Sequence, residues 1–142
     1  MKALSLFIKQ RDLVIKKKEY KLRQVFDRID ALLKEVESLN RIYDRLKFDM
    51  QRGRTVAEIF EKNIYCHYVL EEIKKKEEER SSLLKEAENL KRELAVLHGE
   101  KKAVEKFIMK LERERRKEEL IQEGRLADEI FSRRFSDSSF ND

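Results

Sequence analysis

Between Leu22 and Met50 apolar side chains recur at alternating intervals of three and four residues. Leu22, Ile29, Val36, Tyr43 and Met50 take one heptad position, a, and Val25, Leu32, Leu39 and Leu46 take d. A helix that supercoils presents the same side to a neighbour every 3.5 residues, so the spacing predicts a coiled-coil helix. The register runs back through Ile15, Ile8 and Leu4, but Lys18 and Arg11 fall at d, and the stripe turns basic toward the N-terminus. Phe26 and Leu33 at e widen it beyond a simple dimer seam. The spacing breaks at Gln51-Arg52-Gly53-Arg54-Thr55. Gly53 is expected to end the helix with a positive φ. Thr55-Val56-Ala57-Glu58 reads as a capping box, the hydroxyl accepting from an amide one turn on and the Glu reaching back to the cap. A second stripe follows in Leu83, Ala87, Leu90, Leu94, Leu97, Val104, Ile108 and Leu111, with Lys101 in one slot. It extends back through Ile73, Val69 and Cys66, interrupted by Arg80 and Lys76.

These stripes predict an all-α fold: a long antiparallel two-helix coiled-coil hairpin with unequal arms. The expected organisation is a single coiled-coil domain, 1–142, with helix 3–51, turn 52–55, helix 56–135 and a frayed tail 136–142. If residue 51 faces 56, partners across the hairpin have numbers that sum to about 107. Residues 103–135 then overhang by about 50 Å of helix. Val104, Phe107, Ile108 and Leu111 lie on that overhang, and apolar side chains on an unpaired helix call for another surface.

Composition sharpens this picture. The chain has no Pro, three Gly and 44% charged residues. Nothing forces the backbone out of helix, and the turn residues that shape enzyme pockets are scarce. Cys66 and His67 are adjacent and so point about 100° apart on a helix, which suits neither a metal nor a nucleophile–base pair. His98 lies far along the chain. No catalytic residue, metal site or cofactor is expected, and no small-molecule substrate. No apolar run is long enough to span a bilayer, the N-terminus lacks the pattern of a signal peptide, and one Cys forms no internal disulfide, so a cytoplasmic location is expected. The formal net charge is +5, concentrated in residues 1–18 and 110–118, with Arg133 and Arg134 beyond. A basic tip of this kind suits an acidic ring or groove. Interspersed carboxylates argue against a phosphate-tracking stripe, so nucleic acid is not an expected partner. Near the turn, Ile42, Tyr43, Phe48, Ile59, Phe60, Ile64, Tyr65, Tyr68 and Val69 are more apolar and aromatic than a two-helix seam hides.

Two stretches carry a family resemblance. The first is Met50-x-x-Gly53-x-Thr55, followed by Ile59-Phe60, Tyr65 and Ile73. The second is Leu126-Ala127-Asp128-Glu129-Ile130-Phe131-Ser132-Arg133-Arg134-Phe135. Over nearly the whole chain the sequence resembles the flagellar export protein FliJ family, which is related to the stalk proteins of type III secretion. The resemblance implies a stalk that inserts its terminal half into the hexameric export ATPase and promotes its assembly and activity. It also implies contact with the membrane export gate and with export chaperones, at the cytoplasmic side of the inner-membrane apparatus. The ATPase-binding residues it suggests are Lys9, Arg11, Arg113, Arg115, Arg116, Asp128, Glu129, Arg133 and Arg134. The gate-binding residues are Ile42, Tyr65, Tyr68 and Val69, flanked by Ala31, Glu35 and Ser38, where the chain departs from the family pattern. The chain is expected to be a monomer in isolation. The alternatives are a homodimeric coiled-coil scaffold or tether and an export-chaperone-like binding protein.

Overall fold

The computed structural model describes residues 2–53 and 55–140, with side chains as far as Ser136. Met1, Arg54 of the predicted turn, and Asn141 and Asp142 of the predicted tail lie outside the described residues. Two helices account for the fold: α1, Lys2–Gln51, and α2, Val56–Phe140. The α2 helix continues through Phe140, five residues past the helix end read from the sequence. The chain divides into two compact units, a central one of Leu13–Leu97 and a terminal one of Met1–Asp12 with His98–Asp142.

In the central unit the two helices pack antiparallel along one seam. The buried residues of α1 are the heptad residues Ile15, Val25, Ile29, Leu32 and Val36. Four of them meet α2 in three clusters. Ile15 packs with Leu94 and Leu97, Val25 and Ile29 with Ala87 and Leu90, and Val36 with Val69 and Ile73. Burial of each such side chain contributes roughly 1.5–3 kcal/mol, which makes the seam the main source of stability. Phe26 and Leu33 remain on its margin, where the Lys91 ammonium lies 5.2 Å from the centre of the Phe26 ring.

Between the Ala87–Leu90 cluster and the Val69–Ile73 cluster, α2 offers Lys76 and Arg80 instead of apolar residues. Leu32 nevertheless has 0% exposure. Long cationic side chains can cover apolar surface with their methylene stems while their charged heads reach outward. Lys76 Nζ donates to Glu35 Oε2 at 2.8 Å. Arg28 reaches Glu79 at 3.2 Å and Glu35 at 3.5 Å. Arg80 Nε is enclosed with no hydrogen-bond partner, a local cost of this polar layer.

Ion pairs fix the register. In the central unit Lys18–Glu93, Lys21–Glu86, Arg28–Glu79, Glu35–Lys76 and Asp49–Lys62 have partner numbers that sum to 107 or 111. The lower value is that read from the sequence. The higher one occurs both far from the turn, at Lys18–Glu93, and beside it, at Asp49–Lys62. In the terminal unit Arg11–Glu100 and Asp12–Lys101 join the start of α1 to α2, at 3.3 and 2.7 Å.

The turn differs from the expectation in one respect. No glycine among the described residues has a positive φ, Gly53 included. Its lack of a side chain is needed for space instead. A Cβ there would stand 2.6 Å from Ile59 Cγ1 and 3.3 Å from the Met50 carbonyl oxygen. On the other side of the turn the Glu58 amide donates to Thr55 Oγ1 at 3.2 Å, which is the hydroxyl half of the capping box.

Leu32→Ala is expected to cost about 2–5 kcal/mol in urea unfolding, against less than about 1 kcal/mol for Leu33→Ala on the margin. Gly99 lies mid-helix with nothing within 4 Å of a would-be Cβ. Gly99→Ala should therefore stabilise the chain by up to about 1 kcal/mol, whereas Gly53→Ala should destabilise it. Thermal unfolding followed by circular dichroism separates the two.

Candidate interaction surfaces

The seam occupies one side of each helix and leaves the rest to solvent, so candidate sites here are surfaces. Two differ from the ordinary charged exterior.

The first lies in the central unit, beside the seam near the turn. Along one flank, residues of α1 spaced by seven face residues of α2 spaced by seven. Lys21 meets Glu86 and Arg28 meets Glu79 as ion pairs. Two heptads further along α1 the same register sets Ile42 opposite Tyr65. The charged ladder is thereby replaced by apolar side chains, both exposed. Tyr68 adds to them one turn on, its ring stacked with that of Tyr65 at a centroid distance of 6.4 Å and an interplanar angle of 21°. Such rings offer large rigid contact area at little entropic cost, a property favoured at protein interfaces.

Val69 does not belong to this surface. It is 2% exposed and packs with Val36 and Ile73 in the seam. The reason is helical geometry: Val69 and Cys66 lie three residues apart on the side of α2 that faces α1, and both are buried. Ile42, Tyr65 and Tyr68 remain as the exposed group. Glu35, one heptad before Ile42, is tied to Lys76 and Arg28.

The second surface is in the terminal unit. Every residue from Glu112 to Ser136 is exposed. Arg113, Arg115, Arg116, Asp128, Glu129, Arg133 and Arg134 all fall on this uncovered part of α2. Arg113 and Arg116 line one shallow groove with Met109 and Glu112. Arg115 lies 3.7 Å from Glu119. At 1.5 Å per residue, 113 to 134 spans about 30 Å, so these side chains form a track and not a pocket. Lys9 and Arg11 lie on α1, apart from this track. Lys9 is exposed, whereas Arg11 is engaged within the unit, with Glu100 and with the Phe7 ring, whose centre is 4.7 Å away. Between Arg116 and Arg133, Leu120, Ile121, Leu126, Ile130 and Phe131 are exposed. Those apolar residues are missing from a set chosen by charge, although their helical spacing is readable in the sequence.

Titration follows the ion pairs. The hydrogen bond from Lys76 holds the Glu35 carboxyl below its ordinary 4.5, against desolvation and with help from the Lys76 and Arg28 charges. The same hydrogen bond raises Lys76 above 10.5. Lys101 is raised likewise, first by its hydrogen bond to Asp12. Lys47, 4.8 Å from the centre of the Tyr43 ring, is raised chiefly by its hydrogen bond with Tyr43. No group of three or more His, Cys, Asp or Glu among the described residues is placed to hold a metal ion. No described helix is long and apolar enough to cross a membrane.

A lowered carboxyl pKa means that the unfolded chain takes up the proton first. The stabilisation from Glu35 is therefore complete above 4.5 and is lost as pH falls through its lowered native value. The melting temperature is expected to fall on acidification below that range, and Glu35→Gln to show a smaller fall over the same titration.

Compared with known proteins, residues 1–139 match the family model described as Flagellar FliJ protein. No curated protein and no solved structure gives a match.

Proposed function

The chain belongs to the flagellar FliJ family, a family of non-enzymatic components of the flagellar export apparatus, and on that premise we propose that it is the stalk of the export ATPase. In this reading it binds the hexameric ATPase, promotes its assembly and activity, and links it to the membrane export gate. The observation that carries the reading is the uncovered length of α2 from Glu112 to Ser136, which presents charged and apolar side chains on all sides. A single helix of about 10–12 Å diameter suits the axis of a ring, where it touches several subunits at once. One chain in a six-fold ring meets its subunits unequally, because no two sides of this helix are alike. That inequality is a physical means of biasing the subunits toward different states.

Arg113, Arg115, Arg116, Arg133 and Arg134 supply the cations for acidic groups lining the ring, with Asp128 and Glu129 for basic ones. Arg11, held by Glu100, positions the start of α1, and Lys9 remains available to the ring. Ile42, Tyr65 and Tyr68 form the surface offered to the gate. Export chaperones are further partners, and association with the inner-membrane export apparatus is peripheral. The functional chain is a monomer, since the seam residues are already paired within it.

Removal of residues 113–142 is expected to abolish stimulation of the export ATPase while leaving the helical signal of the central unit in place. Undiminished stimulation by the shortened chain would overturn the ring assignment. Light scattering of the full chain should give a concentration-independent mass near 17.2 kDa. A stable dimer would favour the homodimeric scaffold.

A further inference from the structure

The turn end of the central unit is apolar on more than one side. Val56, in the first turn of α2, is the most exposed large hydrophobic among the described side chains, at 84%. Phe60, 64% exposed, lies one turn further along α2, on the side of that helix away from the seam. Phe48, 52% exposed, lies on the side of α1 away from the seam. The two Phe rings therefore project from opposite sides of the helix pair, with Val56 at its apex. A rigid protein groove or flat surface meets one side of such an end. A fluid medium meets all of them.

Cations follow the apolar apex. Arg41, Arg45 and Phe48 share one side of α1, at intervals of four and three residues, and Arg52 follows in the turn. Arg41 and Arg45 have no ion-pair partner among the described residues. The Arg52 guanidinium folds back over the Phe48 ring, 4.5 Å from its centre, which draws its charge away from the apex. Asp49 is neutralised by Lys62 at 3.7 Å. Glu58 is engaged within the chain, and Glu61 projects about 100° around α2 from Phe60. Counting along the helix axes, Val56, Phe60 and Phe48 lie within about 10 Å of the apex and Arg45 and Arg41 behind them. That is the depth to which apolar side chains of interfacial helices enter a bilayer, with cations left at the level of anionic headgroups.

We propose that the turn end of this chain seats in the surface of an anionic lipid bilayer, Val56, Phe48 and Phe60 entering the acyl boundary and Arg41 and Arg45 meeting lipid phosphates. Seating is reversible, since three apolar side chains supply much less buried area than a spanning helix. The inference stands apart from the ATPase and gate assignments, because its test contains neither protein.

The chain has no Trp, so Phe60→Trp provides a single fluorophore at the proposed site. Vesicles of phosphatidylglycerol and phosphatidylethanolamine at about 3:7 should shift its emission to the blue, and brominated acyl chains should quench it. Phosphatidylcholine vesicles should do neither, and Leu6→Trp, in the terminal unit, should respond to none of them. In sedimentation with the anionic vesicles, Val56→Ser with Phe60→Ser should lower bound protein about tenfold, and Arg41→Gln with Arg45→Gln several-fold. All four positions are exposed, so unchanged circular dichroism is expected to confirm folding. Absence of a blue shift in Phe60→Trp would overturn the proposal. So would anionic-vesicle binding that survives the Val56/Phe60 pair but is lost on Lys9→Gln with Lys16→Gln, which would place the attraction at the N-terminal cations. Loss of gate-protein binding in the Val56/Phe60 pair, with no vesicle binding by the unaltered chain, would also overturn it and assign the end to a protein.

Discussion

Burial along a single seam is the constraint from which everything else in this molecule follows. Two helices that pack on each other cover only the side each turns to its partner. Leu32 is fully enclosed, yet Leu33, its neighbour in sequence, is on the margin. Among the described residues there is no second layer to take up further apolar side chains, so those outside the seam register stay in contact with solvent. That makes the exposed apolar residues informative. In a protein with a three-dimensional core they would be accidents of surface composition. Here they cluster near the turn and along the uncovered part of α2, which makes these the candidate surfaces for contact with other molecules.

The polar layer at Lys76 and Arg80 shows how such a thin seam is specified. Replacing it with apolar residues would lengthen the core but remove features that distinguish one register from another. A slide of one heptad would part Lys76 from Glu35 and set it against Arg28 or Ile42, whereas Lys21 and Arg28 would only exchange one Glu of the 72, 79, 86 and 93 series for another, so the Glu35–Lys76 pair is the one that distinguishes registers. Exposed ion pairs each contribute only about 0–1 kcal/mol, so their role is selection among registers more than stability. The same ladder defines the candidate gate surface, which begins where charge gives way to Ile42 and Tyr65.

Membership of the FliJ family places the chain in the flagellar export apparatus, and the physical form suits a component that acts through contact. The described surfaces are elongated and shallow, laid out along helices. Side chains at fixed intervals can address several neighbours simultaneously, which a pocket cannot do. The proposed lipid contact extends this principle to the turn, where the apolar side chains are distributed around an end and not along a face.

Much of this was legible in the amino-acid sequence. The heptad positions from Leu22 to Met50 determined α1 and its buried side, because helical periodicity converts spacing directly into direction. Thr55 determined where α2 starts, because its hydroxyl can satisfy an orphan amide there. The clustering of charge between residues 110 and 134 marked that part of α2 as a candidate surface. Tertiary packing decided the rest. It made Gly53 a matter of space beside Ile59, where chain-reversing backbone was expected, since a clash between distant side chains has no local signature. It put Val69 in the seam while leaving Tyr65 and Tyr68 outside, since residues so close on one helix are sorted only by where the partner helix lies. It engaged Arg11 with Glu100 and left Arg41 and Arg45 without an ion-pair partner among the described residues, though all three are arginines on the same helix. Sequence fixes which way each side chain leaves its own helix; what it meets there depends on the offset between the helices, which only their packing decides.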